Sequence, residues 1–174
     1  GIFSIDWSRR GTTANAMFLG MGRSRRIVLT DTLLKNYSPE EIEAILAHEL
    51  GHYRGRHVLR LLLFQSGIVL GLFLLAHFAL KPLTAPGGPL GLQGPSDLAG
   101  LPLLLIILMV FGLALTPPLM AFSRHVEGQA DTFALNLTGN PAAFSQALSR
   151  LHDQNLAEAN PSRLVEWLFY DHPP

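Results

Sequence analysis

Two long apolar runs set the pattern of the chain. Val58 to Leu80 is apolar for about 23 residues, and Leu98 to Phe122 for about 25, against the about 20 that cross a bilayer. Pro102 and Pro117-Pro118 interrupt the second run. Each run predicts a membrane-spanning helix; a pair of buried core helices is the alternative. Between them, Thr84-Ala85-Pro86-Gly87-Gly88-Pro89, Gly91 and Gly94-Pro95 carry loop chemistry. The two helices therefore form a hairpin that enters and leaves on one side.

The flanking segments have shorter periods. Thr13 to Leu19 and Arg26 to Thr30 bracket Gly20-Met21-Gly22-Arg23-Ser24, which predicts a β-hairpin within a strand region over 3–30. A short helix follows over Thr32 to Asn36. Ser38-Pro39-Glu40-Glu41 then supplies an N-cap, a proline at the first helical position and a capping-box glutamate. Ile42, Ile45, Leu46 and Glu49 continue at helical spacing. Beyond the second run a helix reaches Leu137 and stops at Gly139. Asn140-Pro141 opens an amphipathic helix with Phe144, Leu148 and Leu151 on one face, reaching about Ala157. Pro161 begins a last short helix through Trp167, Phe169 and Tyr170. No internal repeat is visible.

Composition sharpens the membrane reading. Apolar residues make up 48% and charged residues 15% of the 174, well under the ordinary quarter of charged residues. Thirteen basic and thirteen acidic side chains cancel, so nucleic acid is not an expected partner. The absence of cysteine excludes disulfides and thiolate ligands, leaving histidine and carboxylate to hold any metal. Arg54, Arg56, Arg60 and Arg124 flank one side of the hairpin and Lys81 alone the other; the positive-inside rule puts the arginine side in the cytosol. Arg23, Arg25 and Arg26 read as a solvated turn, with lipid headgroup contact second. The chain opens on Gly1 and stops at Pro173-Pro174, and is expected to be a piece of a longer multi-pass protein.

The chemistry sits at Ala47-His48-Glu49-Leu50-Gly51-His52. Residues four apart share a helix face, so the imidazoles of His48 and His52 can close on one ion. Glu49 is placed to reach a water on that ion without ligating it. This is the H-E-x-x-H arrangement, two neutral histidine ligands for Zn2+ and a glutamate general base. A catalytic zinc needs a third protein ligand and an open position. The hairpin returns the chain to the same side, where Glu127 arrives first as third ligand. Asp131, four residues on, can accept the other ring N–H of a ligating histidine. Among the remaining histidines, His57 is expected in interfacial water and His77 in a hydrogen bond between the spans. His125 and His152 are expected at the surface.

At this point a family resemblance is specific. His48-Glu49-Leu50-Gly51-His52, a spanning hairpin, then Ser123-Arg124-x-x-Glu127-x-x-Ala130-Asp131 resembles the CAAX prenyl protease 1 family, integral-membrane gluzincin endopeptidases related to the HtpX-type proteases. Asn15-Ala16 with Gly20, Gly22 and Arg25 to Leu34 resembles the family's strand segment. Asn155-Leu156-Ala157 to Asn160-Pro161 and Trp167 to Pro173 resemble its later elements, with Asp171 where serine or threonine is expected. The resemblance covers essentially the whole chain. It implies that Asn15 and Ala16 hold the substrate backbone from an edge strand and that His172 donates to the oxyanion.

The expected fold is thus mainly α with a small β-hairpin or sheet. It is a membrane-embedded gluzincin core whose two-helix transmembrane hairpin lies between the H-E-x-x-H and E-x-x-x-D helices. One unit covers 1–174: strands and metal helix to 57, spans at 58–80 and 98–122, and the remaining helices over 123–174. The expected activity is zinc endopeptidase in the bacterial inner membrane or endoplasmic reticulum, with a peptide, by resemblance a prenylated C-terminus, as substrate and the lipid bilayer as surroundings. An HtpX-type quality-control protease, a membrane scaffold or chaperone with a structural metal, and a soluble gluzincin with buried helices are the alternatives.

Overall fold

The computed structural model describes residues 1–20, 24, 26–88, 90–94, 96–154 and 165. His172, the Asn155 to Pro161 segment, the helix expected from Pro161, and Gly22, Arg23 and Arg25 lie outside the described residues, apart from Val165.

Three short strands precede the helices: β1 (Ile2–Ile5), β2 (Ala16–Leu19) and β3 (Arg26–Thr30). The sheet order is β1-β3-β2, with β3 central. The β2–β3 pair is antiparallel, in register Ala16 with Leu29 and Leu19 with Arg26. The expected hairpin is therefore present, although β2 begins at Ala16 rather than Thr13. Parallel β1, pairing Ile2 with Ile27, adds a third strand. A parallel partner leaves no turn signature, so nothing in Ile2–Ile5 announced this pairing. Asp31 ties the link between β1 and β2 by accepting the Trp7 and Ser8 N–H groups at 2.8 and 2.9 Å.

Helix α1 (Asp31–Asn36) leads to α2 (Pro39–Arg54), which carries the histidine pair. Its start is doubly fixed. Ser38 Oγ accepts the Glu41 N–H at 3.2 Å, and Glu41 Oε2 accepts the Ser38 N–H at 2.7 Å, the reciprocal capping box. Buried Glu41 also takes two contacts from Arg150 Nη1, at 2.9 and 3.1 Å. Arg150 lies over the Tyr37 ring, 4.7 Å from its centroid. That arginine pins α5 (Pro141–Gln154) against the start of the metal helix. Asn140 Oδ1 caps α5 by accepting the Ala143 N–H.

The membrane hairpin is α3 (His57–Leu83) and α4 (Leu101–Thr138). Both are long and apolar enough to cross a bilayer, and Phe64 and Phe122 stack between them at 4.3 Å. Val58, Leu63, Leu70, Phe78 and Met109 are all exposed, as lipid-facing side chains are. One difference from expectation matters. The second span and the helix expected after it are one element: α4 continues unbroken for 38 residues through Pro117 and Pro118 to Thr138. Proline is tolerated inside a helix where neighbouring helices and hydroxyl side chains satisfy the freed groups. Leu98–Gly100 forms only a single 3₁₀ turn ahead of it. At about 1.5 Å per residue α4 is about 57 Å long, so the spanning segment and the Glu127 segment are one rod. Gly139, at φ 61°, ends it by donating its N–H to Leu135 O.

Two small cores position these parts. Ala14, Ala16, Leu29, Leu33, Tyr37, Ile45 and Ala147 join sheet, α1, α2 and α5. Ala44 and Ala47 of α2 meet Ala134 of α4 and Phe144 of α5 in the second.

Candidate metal centre

Small residues bring α2 and α4 together. Ala130 and Ala134 are fully buried and Ala47 is 4% exposed. A Cβ on Gly51 would stand 3.0 Å from Ala130 Cα and 3.1 Å from its carbonyl oxygen, so only glycine allows this approach without a shift. Gly51 and Ala47 each sit one residue before a histidine of the pair. The stripe that makes the contact therefore also sets the distance from the histidines to α4.

Across that contact three donor atoms converge. His52 Nε2 is 3.0 Å from His48 Nε2 and 3.2 Å from Glu127 Oε2, and His48 Nε2 is 3.4 Å from the same oxygen. The three atoms form a near-equilateral triangle. A tetrahedral ion with bonds of about 2.0–2.1 Å separates its ligands by about 3.3–3.4 Å, so the triangle fits one face of such a polyhedron. The donor set, two imidazole nitrogens and a buried carboxylate oxygen, has the right chemistry to hold a metal ion.

The other nitrogen of each imidazole is also engaged. Asp131 Oδ1 lies 2.8 Å from His48 Nδ1, so the neutral ring keeps its proton on Nδ1 and its lone pair on Nε2. Burial disfavours the imidazolium of His48, but Asp131 and Glu127 outweigh it and raise its pKa to about 9. His52 Nδ1 meets His57 Nδ1 at 3.1 Å. His57 was expected in interfacial water; instead it is 2% exposed. Nothing in hydrophobic periodicity singles it out, and the one signal for it is Gly55, two residues earlier.

The other expected residues fall as follows. Glu49 is half-buried on the same turn of α2. Asn15 is exposed and precedes β2, where its N–H donates to Thr30 Oγ1 at 2.9 Å and its carbonyl accepts the Thr30 N–H. Ala16 is buried. β2 is an edge strand, and it reaches the metal helix through Phe18, stacked at 6.0 Å on Tyr53. His125 is exposed and accepts from Gln129 Nε2, while the His152 side chain lies outside the described residues. His77 does not bridge the spans. It is exposed on α3, its ring edge-on to its neighbour Phe78.

Comparison with known proteins matches residues 2–174 to peptidase family M48. The uncharacterized metalloprotease YhfN of Bacillus subtilis is 32% identical over 173 residues, covering 99% of this chain and 41% of the relative. The probable CAAX prenyl protease 1 of Schizosaccharomyces pombe is 36% identical over 180 residues, covering 99% and 36%. The crystal structure of S. mikatae Ste24p superposes with a TM-score of 0.77 at 30% identity, over 99% of this chain and 43% of that one. The chain spans about two fifths of the length of these relatives.

Proposed function

Because this chain belongs to peptidase family M48, we propose that it is the catalytic core of a membrane zinc endopeptidase. One observation carries the reading: the triangle of His48 Nε2, His52 Nε2 and Glu127 Oε2, with edges of 3.0, 3.2 and 3.4 Å. Two imidazoles and a carboxylate, with a fourth position left for water, are the donor set of a catalytic zinc.

When bound there, zinc would act as a Lewis acid on the scissile carbonyl and bring the pKa of water to about 7. Every other part of the reaction belongs to side chains. His48, His52 and Glu127 hold the ion, and Asp131 keeps the His48 lone pair directed inward. The Glu49 carboxylate accepts the proton of the attacking water and passes it to the leaving amine. The free edge of β2, with Asn15 and Ala16 at its start, receives the substrate as an added strand, which orients the scissile bond by backbone hydrogen bonds. His172 donates to the oxyanion that develops on the carbonyl.

The substrate we propose is the C-terminus of a prenylated protein. Its support is the likeness to a relative named as a CAAX prenyl protease. The site faces the cytosol in a multi-pass protein, supported by Arg54, Arg56, Arg60 and Arg124 against the single Lys81. The test is Glu49→Gln. It retains the three ligands and removes the base, so zinc content stays at the wild-type level while peptidase turnover falls by about 10²–10⁴-fold. Wild-type turnover in that variant would contradict the mechanism.

A further inference from the structure

We propose that His57 is a positioning residue for the metal centre, a neutral acceptor that fixes the tautomer of His52; this rests on the zinc reading above. His52 can present a lone pair on Nε2 only if its proton is on Nδ1. That Nδ1–H needs an acceptor, and His57 Nδ1 is 3.1 Å away. The two rings meet edge-on with centroids 5.0 Å apart. The opposite sense of the bond, with His57 donating, would place the His52 proton on Nε2 and abolish ligation. His48 has Asp131 for this task; His52 has His57.

The local chain is shaped to put the ring there. α2 ends at Arg54 and α3 begins at His57, so only Gly55 and Arg56 make the corner. Arg56 adopts φ 51° and ψ 39°, the sole non-glycine residue at positive φ among the described residues. Such a conformation is costly for a residue with a Cβ. Gly55 lies directly under the imidazole: a Cβ there would stand 2.0 Å from His57 Nε2 and 2.3 Å from its Cδ2. A glycine and a left-handed arginine thus turn the first residue of a membrane helix back onto a ligand of the preceding helix. His57 is 2% exposed. Three residues on, Arg60 Nη1 donates to Gln129 Oε1 of α4 at 3.1 Å. The first turn of α3 is therefore tied to α2 through His57 and to α4 through Arg60.

The test compares wild type, His57→Phe and His57→Asn as full chains in detergent. Zinc affinity is read by competition with a chromophoric chelator, and folding by circular dichroism and the thermal midpoint of the metal-free protein. Phenylalanine retains the ring and loses the acceptor; asparagine loses the ring but its Oδ1 can accept. The expected result is zinc affinity about 10–100-fold weaker in His57→Phe, with most of the loss recovered in His57→Asn. Wild-type affinity in His57→Phe overturns the inference. So does equal weakness in both variants, which would assign the role to ring bulk. Should His57→Phe fail to fold, Gly55→Ala decides: it keeps His57 but displaces its ring, and unchanged zinc affinity there overturns the inference. A wild-type chain that binds no zinc would remove the metal reading itself, and this inference with it.

Discussion

His48 carries a carboxylate on each side of its ring, Asp131 Oδ1 at 2.8 Å from Nδ1 and Glu127 Oε2 at 3.4 Å from Nε2. Burial works against its charge, yet the two acids win and hold its pKa up to about 9 against an ordinary 6.5. A histidine whose folded pKa is raised adds stability that is complete below pH 6.5 and is lost as pH rises through about 9. In the metal-free protein the proton therefore competes with zinc across this window. Zinc affinity should rise with pH between 6.5 and about 9, with about one proton released per ion bound near neutrality. Calorimetry in buffers of different ionisation enthalpy reads that proton directly. Asp131→Asn should reduce the release at pH 8, because the partner that most raises the pKa is gone. Affinity independent of pH over this range would contradict the assignment of His48 as a ligand.

The metal triangle depends on how closely two helices approach, and that distance is set by Gly51 against Ala130. Gly51→Ala introduces a Cβ at 3.0 Å from a backbone carbon, which cannot swing aside as a flexible side chain would. The helices must part by a few tenths of an ångström, moving Glu127 from both histidines at once. Overpacking of this kind costs about 1–3 kcal/mol, so the variant should melt lower and bind zinc more weakly with every ligand retained. Unchanged melting and affinity would show that α2 and α4 have slack. Much at this scale was legible in the chain. Ser38-Pro39-Glu40-Glu41 announces the start of α2, and Gly139 and Asn140-Pro141 mark the junction of α4 and α5, because caps are local chemistry. The histidine pair, Glu127 and Asp131 were legible as a set, since helical spacing puts each pair on one face. What was not legible depends on contacts far apart in sequence. Parallel β1 has no turn to declare it. The continuity of α4 through Pro117-Pro118 is decided by its surroundings rather than by proline's own preference. His57 looks like an interfacial histidine until the Gly55–Arg56 corner is seen to return it to His52.

At the scale of the molecule, a hydrated half and a membrane half share one rod. α4 carries the second apolar run at its start and Glu127 and Asp131 nearer its end. α3 begins with His57 against the site and proceeds into the apolar run. The hairpin is therefore attached to the metal centre at both of its ends, and the membrane segments and the site form one mechanical unit. Removal of the hairpin would cut His57 from His52 and free Glu127 from the rod that aims it. In the proposed assignment, His48 and His52 of α2 and Glu127 of α4 together hold one zinc ion. Metal content of the detergent-purified chain, measured by mass spectrometry on wild type and Glu127→Ala side by side, tests it most directly. About one zinc per wild-type chain is expected and a small fraction of that in Glu127→Ala, since two protein ligands are one short of the three that a catalytic zinc takes. Full zinc in the variant, or none in the wild type, would contradict it.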